Sequence, residues 1–441
     1  MNNNNNIHEN ADPKDFESIL DEGGISALQI RVVFISFLLM ILDGFDITSM
    51  SFTAQRVSNE LNIDPSNLGI IFSVTLAGMM LGAMFIAPYA DKIGRRKMLI
   101  GSVFVIGVSM TLTGMTSSLW ELIFLRAITG LGVGSMLANL TALTTEYTPT
   151  KYRSFSVAIV ASGFPLGATL GGIIVAPTLP IYGWEGIFIG LGIVTLLMTV
   201  VVYFLVPESL QFLRTVGTDE ALVKAKDLLL NMNKKSISAF PEAAKNQLPK
   251  ASIRALLSPS LRTKTIQLWF TFFLVFVSMY FLMSWLPKLI IDSGLSEQTG
   301  VFSAVAFNGG GVIGTLCLGW FAANFGLTRL IGFFLVFAGA LLFTFGELFE
   351  HFNLYFLLFI IGFFLQGAFV GLYSTSAKLY PTEVRATGIG WALGLGRFGA
   401  VVGPYVGGLF IAAGVTMQIN FLIFSIPLLL AALMAWSLKI R

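Results

Sequence analysis

The sequence predicts an all-α membrane protein with twelve transmembrane helices in two six-helix halves, and three observations predict it. Hydrophobic residues make up 55% of the 441 positions and charged residues only 12%, about half the charged share of an ordinary soluble chain. Twelve segments are apolar over the roughly 20 residues that a bilayer crossing needs. Glycines of the two halves stand in one register, 232 residues apart. The 45 glycines also suit close helix packing in lipid better than a soluble core.

The chain opens with a cytoplasmic tail over 1–30. Met1 to Asp21 is polar, with an Asn run and mixed charge; it does not read as a signal peptide and is expected to be disordered. A short interfacial helix is expected around Phe16, Ile19 and Leu20. The N-terminal half, 31–206, holds spans at about 31–55, 68–90, 98–116, 120–145, 153–177 and 186–206. The one long polar stretch, 207–264, reads as a cytoplasmic central loop. The C-terminal half, 265–437, holds spans at about 265–290, 300–323, 328–347, 353–377, 386–412 and 417–437, before a cytoplasmic end at 438–441.

Basic residues orient the bundle. Lys92, Arg95, Arg96 and Lys97 lie between spans 2 and 3, and Lys151 and Arg153 between 4 and 5. The central loop is rich in Lys and Arg, including Lys245 and Lys250, and Arg329 and Arg385 mark the later even-to-odd loops. The alternate loops hold only Arg56 and Lys288. The even-to-odd loops and both termini are therefore expected on the cytoplasmic side.

The repeat is a constant offset. Moving by 232 residues takes Gly78 to Gly310, Gly94 to Gly326, Gly130 to Gly362, Pro149 to Pro381, Arg153 to Arg385, Gly167 to Gly399 and Gly171 to Gly403. Parallel six-helix halves with a site between them at the midplane are an alternating-access architecture. Catalysis finds no support. The lone Cys317 and the two histidines, His8 and His351, assemble no metal site, no Walker A loop is present, and no cofactor is expected.

The loop after span 2 reads Ala87-Pro-Tyr-Ala-Asp91-Lys92-Ile-Gly94-Arg95-Arg96-Lys97. It resembles the signature loop of the major facilitator superfamily, with Ala87 in place of the first glycine. Asp91 is expected to cap the N-terminus of span 11, and Arg95 or Arg96 to pair with Glu146 across the cytoplasmic face. A plain positive-inside anchor would explain the arginines but not Asp91 or Gly94. The C-terminal copy has decayed, with Ala323 at the Asp91 position, Leu327 at Arg95 and Lys378 at Glu146. In span 4, Arg126 precedes Gly130, Gly132 and Gly134, which resembles another superfamily pattern. An arginine so placed faces a cavity or a carboxylate, or else snorkels to the outer interface near Glu121.

Span 1 contains Asp43-Gly44-Phe45-Asp46. Two carboxylates three apart share a helix face. In mid-bilayer they cannot both ionise cheaply, so one is expected to hold a proton. That face is expected to open to a cavity between the halves. Pairing with Arg126 or Arg397 is the alternative, and both can hold together. In span 11, Arg397 lies deep in the membrane, where its repeat mate is Pro165. It can hold a carboxylate bidentately, and Trp391 offers an aromatic wall; neutralising Asp43 or Asp46 is its other possible role. Asn139, Asn308, Gln366 and Tyr373 line a cavity or make interhelical hydrogen bonds.

Asp43-Gly44-Phe45-Asp46, the stretch from Asn139 to Tyr147, Pro207-Glu208-Ser209, and the stretch from Leu379 to Trp391 through Thr382 and Glu383 together resemble the aromatic acid:proton symporter family. The resemblance implies proton-driven import of benzoate-type acids across a bacterial cytoplasmic membrane, with Asp43, Asp46 and Asp91 needed for transport. Arg397, Trp391, Arg126, Asn139 and Gln366 are then the substrate candidates. The partners expected are a small aromatic carboxylate, protons and the bilayer, with no nucleic acid, and the working unit is a monomer. Helix 5 has Ala168 where antiporters carry proline, which favours symport over efflux. An importer of another organic acid, an exporter or a non-transporting sensor are the alternatives.

Overall fold

The computed structural model describes residues 16–22, 24–237, 239–240, 253–381 and 384–438. His8 and most of the tail expected to be disordered, Lys245, Lys250, Thr382, Glu383 and the last three residues lie outside the described residues. Among the described residues the regular structure is all helical.

Helix α1 (Ala27–Glu60) starts at Ser26. The Ser26 hydroxyl accepts the Gln29 N–H at 3.3 Å, and Gln29 Oε1 accepts the Ser26 N–H at 2.8 Å, a reciprocal cap that leaves neither donor orphaned. Helix α2 runs from Pro65 to Ile93 but is broken by a π turn over Gly82–Ile86 and a tighter turn over Ala87–Tyr89. Pro88 accounts for the break, because it has no N–H to donate and its ring crowds the carbonyl four residues back. Helices α3 (Arg95–Thr113) and α4 (Leu119–Tyr147) follow. Residues 150–205 run on as α5 and α6, divided only at Gly183 (φ 68°, ψ 179°). The second half contains α7 (Arg262–Asp292), α8 (Glu297–Phe325), α9 (Leu327–Phe343), α10 (Leu354–Leu379), α11 (Arg385–Ala412) and α12 (Met417–Ser437). Nine helices among the described residues are long and apolar enough to cross a membrane. With α5 and α6 separated, and α1 and the shorter α9 added, the crossings number twelve.

The stretch between the halves carries helices Leu210–Val216, Asp219–Asn231 and Ile253–Leu256. Thr218 caps the second, Asp219 and Glu220 occupy its first turn, and Ala221, Ala225 and Leu229 form its buried stripe. In the tail, Phe16–Asp21 is helical, as the sequence suggests, and packs on protein. Phe16, Ile19 and Leu20 are buried, the Phe16 ring meets Phe240 edge-on at 6.5 Å, and Lys234 donates to the carbonyls of Leu20 and Gly24 at 2.9 and 3.1 Å.

The repeat is visible in the packing. A Cβ on Gly78 would press on the Ala127 carbonyl and one on Gly130 would collide with that of Thr75; their mates Gly310 and Gly362 stand against the carbonyls of Phe359 and Phe307. All four partners are themselves related by the 232-residue offset, so α2 crosses α4 as α8 crosses α10. Glycine removes the side chain that would hold these backbones apart.

The halves meet on the side remote from the termini. There Ser51 donates to the Ser284 carbonyl at 2.8 Å, and Lys288 to Gln55 Oε1 at 2.7 Å. Arg56 grips Glu297 with two bonds of 2.8 Å, and Phe72 packs edge-on against Trp285. Nearer the middle, Ser73 donates to the Val401 carbonyl at 2.7 Å. On the side that bears the termini and the basic loops, no hydrogen bond or ion pair joins the halves among the described residues. The Arg56–Glu297 clamp is about a quarter exposed on each side chain, so its contribution is about 0.5–1 kcal/mol. Glu297→Gln is therefore expected to raise the population open on the remote side by about two- to fivefold. Spin-label distances between the remote ends of α1 and α8 check this; an unchanged distribution contradicts a clamp.

Candidate functional site

The acidic pair is positioned by α1 alone. Asp43 and Asp46 are both buried, at 3% and 1% exposure, and share a face as their spacing requires. That face borders a small gap walled by Ile106 of α3, Val133 and Met136 of α4, and Thr195 of α6, and Asp43 is also within electrostatic range of Arg397 in the other half. The two carboxyls are not equivalent. Asp46 Oδ1 accepts Arg126 NH1 at 2.9 Å, while neither oxygen of Asp43 has a hydrogen-bond partner among the described residues. Arg126 is fully buried, also reaches Thr75 Oγ1 at 3.4 Å, and lies over the Phe188 ring at 5.5 Å. It neither snorkels nor stands free in a cavity.

Arg397 of α11 stands across the boundary between the halves. It is close enough to act electrostatically on Asp43 of α1, Tyr280 of α7 and Tyr373 of α10. Its guanidinium makes no hydrogen bond or ion pair among the described residues, although it carries five N–H donors. Aromatic rings cluster between its helix, α7 and α10. Gly396 packs on the Phe276 ring; Phe276 stacks on Tyr280 at 5.6 Å and meets Phe369 at 4.9 Å. Phe369 and Phe272 in turn meet Tyr373 edge-on at 5.4 and 5.8 Å. Trp391 lies nearer the basic side, where it packs on Trp269 at 6.0 Å and is 40% exposed. Phe276, Phe369 and Tyr280 are missed in the sequence, because in a chain with 40 Phe and 10 Tyr nothing marks these rings out.

Asn139 and Gln366 are both buried and already engaged. Asn139 donates to the Ser135 carbonyl of its own helix at 2.8 Å. Gln366 bridges α10 to α8, reaching the Phe307 carbonyl and Asn308 Oδ1 at 3.3 Å each.

The basic-side cluster forms in part. Arg95 pairs with Glu146 at 2.8 Å, which ties the start of α3 to the end of α4. Asp91 is three-quarters exposed and 3.7 Å from Arg95, with no hydrogen bond to α11 among the described residues. A residue whose role the sequence conceals, Glu208, caps α3 instead. Its carboxylate accepts the backbone N–H groups of Arg96 at 3.0 Å and Ser209 at 2.9 Å, where the helix dipole favours an anion. Gly94 is doubly required, since its φ is 104° and a Cβ would strike the Glu208 carboxylate. Ser209 donates to Glu146, Tyr147 to the Glu208 carbonyl, and the Arg96 guanidinium to the Tyr203 carbonyl.

The Asp46–Arg126 pair predicts a thermodynamic signature. Arg126→Met strands a buried carboxylate and is expected to destabilise the protein by about 3–5 kcal/mol. Adding Asp46→Asn is expected to recover most of that loss. Melting temperatures of the purified single and double variants decide; equal losses would contradict a pair at this site.

Comparison with known proteins agrees with this architecture. The description "Major Facilitator Superfamily" matches residues 36–349. The chain is 34% identical to a 4-hydroxybenzoate transporter, PcaK, of Pseudomonas putida over 91% of its own length and 90% of that protein. It is 31% identical to a gallate transporter of the same species, over 96% and 94% of the two chains. Among solved structures, a bacterial homolog of the human lysosomal transporter Spinster, in an inward-facing unoccupied conformation, superposes with a TM-score of 0.73 at 16% identity and covers 94% of this chain and 98% of its own. That likeness concerns the fold. Twelve crossings, two repeated halves, the Asp91–Arg96 loop and a match over most of the sequence establish that the chain is a transporter belonging to the Major Facilitator Superfamily.

Proposed function

We propose that the chain carries small aromatic carboxylates inward together with protons by alternating access. The observation that carries this reading is Arg397, a guanidinium unengaged among the described residues, on a helix packed against aromatic rings and within electrostatic range of the unpartnered carboxyl of Asp43 in the opposite half. A carboxylate leaving water for this site loses hydration, and a planar fork of N–H donors replaces it. The rings of Phe276 and Phe369 suit an aromatic body. Relatives named for 4-hydroxybenzoate and gallate transport support the same class.

The coupling follows from the charges. Without a bound anion, Arg397 acts electrostatically on Asp43. An anion bound to Arg397 takes up that field, and Asp43 then holds its proton more firmly. Substrate and proton enter as an electroneutral pair. Asp46 is already matched by Arg126, so Asp43 is the better proton carrier, and Asp46 holds the neighbouring charge in place. The basic loops place the open side toward the cytoplasm, which makes this state inward-open and ready to release its cargo. Arg95 and Glu146 hold the cytoplasmic face of the N-terminal half together, and Asp91 is available to cap α11 when the halves close there. The working unit is a monomer in a bacterial cytoplasmic membrane with both termini inside.

Proteoliposomes test the reading directly. An inward proton gradient is expected to drive accumulation of labelled 4-hydroxybenzoate well above the level reached without a gradient. Asp43→Asn is expected to abolish that accumulation while the protein remains in the membrane. Accumulation of no aromatic carboxylate by the parent would overturn the reading, and parent-like accumulation by Asp43→Asn would remove Asp43 from the proton path.

A further inference from the structure

We infer that the hydroxyl groups of Tyr280 and Tyr373 select for ring-hydroxylated acids over unsubstituted ones. The inference rests on the proposed aromatic-acid reading of the Arg397 site and assigns it a specificity element. Neither phenol hydroxyl has a hydrogen-bond partner among the described residues. Tyr373 is 37% exposed and Tyr280 partly so. Both lie in electrostatic range of Arg397, and Tyr280 also of Asp43 in the other half; the Phe276 ring that Gly396 packs on stacks on Tyr280 and meets Phe369, which in turn meets Tyr373. They are fixed there by their rings: Tyr280 is stacked on Phe276, and Tyr373 is wedged edge-on between Phe272 and Phe369.

The chemistry divides the labour. A guanidinium is a donor only, and a carboxylate held in its fork has its acceptor oxygens met. What remains of a hydroxybenzoate is an apolar ring with a hydroxyl that both donates and accepts. Phe272, Phe276 and Phe369 can satisfy the ring but not the hydroxyl. A phenol hydroxyl matches it in both senses, and Tyr280 and Tyr373 each offer one within electrostatic range of Arg397. Discrimination against a ligand lacking the hydroxyl then comes from leaving these groups without their partner.

The test compares two ligands on purified full-length protein: benzoate and 4-hydroxybenzoate, with affinities measured by tryptophan quenching at one pH. Tyr280→Phe and Tyr373→Phe each keep the ring and its packing. At least one is expected to weaken 4-hydroxybenzoate by about tenfold, the worth of one net hydrogen bond, while benzoate changes by less than about twofold. Arg397→Ala is expected to weaken both ligands alike. Equal weakening of both ligands by a Tyr→Phe change would make the tyrosine a carboxylate holder and overturn the inference. Parent-like affinity for both ligands in both variants would overturn it too. If the parent binds neither acid, or Arg397→Ala binds both as the parent does, the underlying reading of the site fails as well, and these arms separate that failure from a failure of the tyrosines alone.

Discussion

A carboxyl group buried in the middle of a membrane helix, with no hydrogen-bond partner among the described residues, is the constraint on which the rest of this structure turns. Charge in hydrocarbon is expensive, and it persists in transporters where it is paired, protonated or in use. The chain answers in two ways within one helix turn. Asp46 is paired with a buried arginine, which Thr75 supports. Asp43 has no such partner among the described residues, and the cation acting on it, Arg397, belongs to the other half. Whatever Arg397 binds therefore changes the electrostatics at Asp43, and the relation of the halves changes both. Coupling between a proton and an anion needs no more than that.

The scaffold beneath these charges is symmetric, and the charges are not. The glycine crossings of α2 on α4 and of α8 on α10 are the same contacts moved by 232 residues. Yet the mates of Asp43, Asp46 and Arg126 are Val275, Ser278 and Leu358, and the mate of Arg397 is Pro165. The N-terminal half thus carries the acids, and the C-terminal half carries Arg397 and the aromatic wall. The basic-side cluster follows the same division. Arg95 and Glu146 of the N-terminal half interlock with Glu208 and Ser209 at the start of the central stretch, and Lys234 and Phe240 of that stretch hold the tail helix. On the remote side the clamp of Arg56 on Glu297 joins what the basic side leaves apart.

Much of this is legible in the sequence, for physical reasons that can be named. A charge inside a long apolar run stands out, which makes Asp43, Asp46, Arg126 and Arg397 conspicuous in the bare order of residues. The repeat is legible because backbone contact tolerates only glycine. Pairing is harder to read. Nothing in the one-dimensional spacing says that Arg126 goes to Asp46 and leaves Asp43 within range of Arg397 in the other half. Glu208 stands far from Arg96 in sequence, and only the fold brings its carboxylate to the start of α3. Tyr280 is one aromatic among many on α7. The helix at Asp219–Asn231 has a readable stripe in Ala221, Ala225 and Leu229, but its polarity hides it in a stretch that looks like loop.

The central claim is that anion binding at Arg397 and proton binding at Asp43 are one linked event. The most direct measurement is the number of protons taken up when 4-hydroxybenzoate binds, obtained by calorimetry in buffers of different ionisation enthalpy near neutral pH. The account predicts net proton uptake with each ligand bound by the parent, and none by Asp43→Asn. The same uptake in Asp43→Asn as in the parent would contradict it.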